Sequence, residues 1–70
     1  MTKQEIAQSC VVPETLKNDK YEPVTQAEYT TWLVRAITRL GLTTDELESI
    51  RDGKMQRAEL VSILHVGRDG

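Results

Sequence analysis

From Val24 onward, apolar and polar positions along the 70-residue chain fall into a helical rhythm. Tyr29, Trp32, Leu33, Ala36, Ile37 and Leu40 recur at i, i+3, i+4 and i+7, the spacing of one apolar helix stripe, and Thr31, Arg35 and Thr38 take the far side. Farther along, Leu47 and Ile50 mark a short second helix, and Leu60, Val61, Ile63 and Leu64 mark a third. Those last four positions span roughly 160° of circumference at about 100° per residue, an arc that one small neighbouring helix pair struggles to cover. Either this helix is central to the domain, or part of its arc packs on another chain.

Start and stop signals sharpen the boundaries. In Val24-Thr25-Gln26-Ala27-Glu28-Tyr29, Thr25 and Glu28 form a capping box, flanked by Val24 and Tyr29 as a hydrophobic staple. Pro23 prevents a helix from running in from upstream. The same grammar recurs at Leu42-Thr43-Thr44-Asp45-Glu46-Leu47, and more loosely at Met55-Gln56-Arg57-Ala58-Glu59-Leu60. Gly41, Gly53 and Gly67 stand where a left-handed residue would close each helix. The pattern predicts an all-α fold, a small three-helix domain with helices near 26–40, 44–52 and 55–66.

The first third is weaker. Residues 1–23 carry only Ile6, Val11, Val12 and Leu16 as aliphatics, and residues 14–23 read as a charged loop or linker. Thr2 to Glu5 can cap a short helix over 3–10, and Val11-Val12 fits an extended segment that docks. The division expected is a loosely ordered N-terminal arm over 1–23, partly disordered or a short helix, and a helical domain over 24–70.

Composition bears on function mainly by exclusion. A net charge of −2 argues against a general nucleic-acid binder. No stretch approaches the roughly 20 apolar residues of a membrane span, and no signal-peptide pattern opens the chain, so a cytoplasmic protein is expected. The single cysteine, Cys10, excludes an internal disulfide and a cysteine-based zinc site. A core this small supplies about 3–5 kcal/mol net and usually needs a staple. With disulfide and metal set aside, the staple expected is a homodimer.

Chemistry-bearing motifs are sparse. His65 is the only imidazole, no nucleophile signature surrounds Cys10, and Ser9, Ser49 and Ser62 sit in no nucleophile elbow. Phosphate-binding glycine patterns are missing, as is the Asp-Ser-Leu attachment triplet of acyl carriers. Residues 52–59 resemble the second half of an EF-hand loop, but Ile50 falls where an oxygen ligand is required. Residues 23–37, with Thr25, Ala27, Glu28, Tyr29, Arg35 and Ala36, resemble the T-R-A-E-F-x-x-x-L-x-R-A-L stretch of S-layer homology domains. That family implies secretion and cell-wall polymer binding. Gln26 replaces its arginine, and the shared letters are largely those of the capping box. No enzyme, metal or cofactor is therefore expected.

Two binding readings remain. The second and third helices around Gly53 have the outline of a helix-turn-helix, with Lys54, Gln56 and Arg57 placed to meet DNA. Against that stand Asp45, Glu46 and Glu48 on the second helix, and Glu59 and Ser62 where buried aliphatics are wanted. The favoured reading is a small interaction or regulatory module that docks on another protein. Its face would combine Trp32, Arg35 and Arg39, or the excess arc of the third helix around Ile63 and Val66. The bland alternative for Trp32 is a core indole rimmed by arginine stems.

Overall fold

Residues 2–68 are described by a computed structural model, and within them the chain forms four helices. They are α1 (Lys3–Ser9), α2 (Gln26–Leu40), α3 (Thr44–Arg51) and α4 (Arg57–Arg68). The three starts with a threonine in front are alike: Thr2, Thr25 and Thr43 accept from the main-chain N–H three residues on. At α3 the box is reciprocal, because Glu46 also accepts from the Thr43 N–H at 3.2 Å. Gly41 closes α2 at φ +64°, a left-handed conformation that glycine takes without steric cost, and its N–H reaches the Ile37 carbonyl.

The fold is all-α, as the periodicity predicts, but four helices stand where a three-helix domain is expected, the short helix anticipated near 3–10 being the one added. Residues 3–9 form a fourth helix built into the core. Ile6 and Ala7 are fully buried, and Cys10 just beyond is 1 % exposed. This helix packs on α3 and α2, while α4 packs on α2. Gln26 fastens its end, its side-chain amide donating to the Cys10 carbonyl at 2.6 Å. A seven-residue helix is marginal alone, so the packing of Ile6 and Cys10, one turn apart, is what holds it. The core that joins these helices centres on Tyr29, Leu33, Leu47 and Leu64.

The connection between α1 and α2 is also less slack than its charges suggest. Asn18 folds residues 18–22 into a tight loop. Its side-chain oxygen accepts from the N–H groups of Lys20 and Glu22, and its own N–H donates to the Glu22 carbonyl at 2.9 Å. Tyr21 sits at the tip with φ 60°, and Lys17 and Pro23 pair across the base.

Gly67 is the second correction. Instead of ending the last helix it lies inside α4, buried, with its α-carbon against the Trp32 main chain. A Cβ built there would collide with the Trp32 carbonyl oxygen and come within 2.7 Å of its carbon. The missing side chain is what lets α4 run two residues past the expected end and press on α2.

Two substitutions test this packing by urea unfolding followed through helicity. Gly67→Ala should lower the midpoint although alanine favours a helix by about 1 kcal/mol. The obstacle is main chain, and overpacking costs about 1–3 kcal/mol. Ile6→Ala should remove about 2–5 kcal/mol, a large share of what so small a core supplies. An unchanged midpoint for Ile6→Ala would return residues 1–23 to the status of a loose arm.

Candidate functional site

Trp32 leaves the middle of α2 half-buried rather than sealed in the core. Two other parts of the chain converge on it, the end of α4 and the 18–22 loop. Gly67 brings the last turn of α4 against its backbone. The next residue, Arg68, lays its guanidinium over the indole, 5.9 Å from the ring centre, a geometry in which cation and ring quadrupole attract. The same guanidinium reaches Asp19 at 3.2 Å, which ties the 18–22 loop to the helix pair.

Between the loop and α2 lies an open cleft of about 380 Å3, walled by Asn18, Asp19, Lys20, Glu22, Glu28 and Trp32. Its walls are mostly polar and carry three carboxylates against one ammonium. Glu28 is half-buried and accepts from the Thr25 hydroxyl at 3.3 Å, so a capping residue also forms part of the wall. Tyr21, between two wall residues, is 88 % exposed. A left-handed tyrosine costs about 1–2 kcal/mol, and the Asn18 hydrogen bonds hold it there.

The residues expected at a partner face are distributed differently. Arg39 is brought to Val66, donating to its carbonyl at 3.1 Å near the end of α4, where a cation suits the helix C-terminus. Arg35 is exposed and stands outside the cleft walls. Ile63 is 8 % exposed and belongs to the core, and Val66 is half-buried. The uncovered apolar part of α4 is instead Leu60 and Val61, the latter 48 % exposed. With Pro13, Leu16 and Met55 they line an open apolar groove of about 250 Å3. Arg68, Asp19 and Tyr21 were not legible as site residues. Asn18, a strong turn former, was the one signal for the loop.

Lys54, Gln56 and Arg57 are all exposed before and at the start of α4, with Arg57 on the rim of the apolar groove. Their helix, α4, packs mainly on α2, whereas α3 packs mainly on α1.

Cys10 is poorly placed for nucleophilic chemistry. Its thiol donates to the Ile6 carbonyl at 3.3 Å and approaches the Leu47 carbonyl at 3.9 Å. Burial pushes its pKa above the ordinary 9.0, Arg51 pulls it back in part, and Asp52 adds to the rise. Burial likewise pushes Tyr29 up to about 12, with a smaller contribution from the Cys10 charge. Among the described residues no group of three or more His, Cys, Asp or Glu side chains is gathered to hold a metal, and no helix is long and apolar enough to cross a membrane. Comparison with protein-family models, with curated proteins and with solved structures finds no match to this chain.

The two raised pKa values make stability fall with alkali. Below pH 9 both groups hold their protons in the folded and unfolded chain alike. Above it the unfolded chain releases the Cys10 proton first, and above 10 the Tyr29 proton too, while the folded chain keeps them. The urea midpoint should decline steadily between pH 9 and 12, and Cys10 should resist a soluble disulfide reagent at pH 8 until urea unfolds the chain. A midpoint flat to pH 11 would contradict the burial of these groups.

Proposed function

We propose that this protein is a non-enzymatic module that works by docking on another protein, through the face made by the 18–22 loop and Trp32. The observation that carries this reading is Tyr21, an almost fully exposed aromatic in a left-handed conformation, braced by Asn18 beside a cleft that reaches Trp32. Backbone strain held in place by surrounding hydrogen bonds collects at functional positions. Tyrosine and tryptophan are among the side chains richest in binding hot spots. A braced loop presents them with little ordering left to lose on binding.

Self-association is part of the proposal. The apolar groove at Leu16, Met55, Leu60 and Val61 is the face assigned to a second copy, on the side of α4 that the helix pair leaves uncovered. The alternative, a helix-turn-helix DNA-binding regulator, has less support. Its two helices pack on different neighbours, and the acidic residues of α3 lie where phosphates would pass.

Capture by immobilised protein, compared between wild type and Tyr21→Ala, tests the docking face. Tyr21→Ala should weaken retention of a captured partner about tenfold or more, the scale of a hot-spot loss, with helicity unchanged. Equal retention by both would remove the 18–22 loop from the interface. Sedimentation equilibrium of the same samples reads the homodimer, and a folded monomer at micromolar concentration would remove that part.

A further inference from the structure

The chemistry of the cleft indicates what kind of segment it takes. Asp19, Glu22 and Glu28 bring three carboxylates to its walls, and Lys20 alone opposes them. Arg68 engages Asp19, whereas Glu22 and Glu28 line the cleft without pairing to Arg68, Glu28 also accepting from the Thr25 hydroxyl through one carboxylate oxygen. The contacts of Glu22 with Asn18 run through its main chain and leave its side chain out of the loop's bracing. Trp32 supplies an aromatic wall in the same cleft. The chain already shows how this surface treats an arginine: Arg68 lies over the indole within cation–π range and pairs with a loop carboxylate at once.

We propose, resting on the docking function above, that the cleft receives an arginine side chain from a basic segment of the partner protein. The incoming guanidinium lies against the part of Trp32 that Arg68 leaves open, between Glu22 and Glu28. A planar cation with a fork of N–H donors suits both an aromatic face and two carboxylates, whereas an ammonium serves only as a point charge. Tyr21 flanks the entry and packs against the stem of the incoming side chain or its neighbour. Lys20 opposes the charge and sets a preference for arginine presented from the side away from it. Neither Arg35 nor Arg39 takes part, since neither lines the cleft.

Trp32 is the only tryptophan, so its emission reports the cleft directly. Full-length protein at low salt is titrated with a blocked hexa-arginine peptide, with hexa-lysine and with hexa-glutamate. Hexa-arginine should give a saturable change in emission and move the amide resonances of residues 18–22 and 28. Hexa-lysine should bind about fivefold more weakly, and hexa-glutamate should do nothing. The double variant Glu22→Gln with Glu28→Gln should weaken hexa-arginine at least about fivefold. Glutamine can still serve the cap at position 28, so the helix start survives. Lys20→Gln should tighten binding, and Glu59→Gln, a charge removed from the first turn of α4, should leave it unchanged.

No saturable change with hexa-arginine up to millimolar concentration overturns the proposal. So does equal weakening by Glu59→Gln, which would mean diffuse attraction to an acidic protein. If the peptide fails while Tyr21→Ala still releases a captured partner, the docking reading stands and the cationic partner falls. If Tyr21→Ala releases nothing yet the peptide binds at the named residues, the cleft is real and the proposed docking loop is not.

Discussion

The close approach of Gly67 to the Trp32 backbone sets the spacing on which most of this small structure depends. With no side chain at 67, the last turn of α4 rests directly on the middle of α2. Ile63 and Leu64, one turn earlier, then reach the core, and Arg68, one residue later, lies over the indole and extends to Asp19. Arg39 meets the Val66 carbonyl at the same end. A wider helix pair would lose these contacts together. The cleft beside Trp32 is therefore a consequence of helix packing as well as of loop chemistry.

The second constraint is size. A chain with one cysteine and no phenylalanine has few large groups to bury, and it compensates by using every helix on one core. The first helix contributes only Ile6 and Ala7, with Cys10 at its end, yet all three are sealed. Cys10 acts there as a small apolar residue whose thiol is turned onto carbonyls, which is why burial raises its pKa and dulls its reactivity.

Local rules made some features legible and hid others. The start of α2 and its end at Gly41 could be read because a threonine cap and a left-handed glycine are decided within a few residues. Gly67 could not, because a glycine that ends a helix and one that admits a neighbouring helix look alike until the neighbour is placed. The first helix could be read from its Thr2 cap, but its place in the core could not, since seven residues are held there only through contacts distant in sequence. At the site, Trp32 stood out as the largest apolar side chain. Its expected neighbours, Arg35 and Arg39, were chosen by spacing along one helix, whereas its actual neighbours, Asp19, Gly67 and Arg68, come from other elements. Charge in residues 14–23 concealed a structured loop, because the bonds that order it run through the main chain and the side chain of Asn18.

The most direct measurement of this arrangement is a solution NMR spectrum centred on Trp32. With Arg68 over the ring, its side-chain protons should be shifted upfield by the indole and show cross-relaxation with it. The Gly67 α-protons should show cross-peaks to the α-proton of Trp32, as backbone contact requires. Random-coil shifts for Arg68, together with no Gly67–Trp32 cross-peak, would contradict the close approach and the cleft built on it.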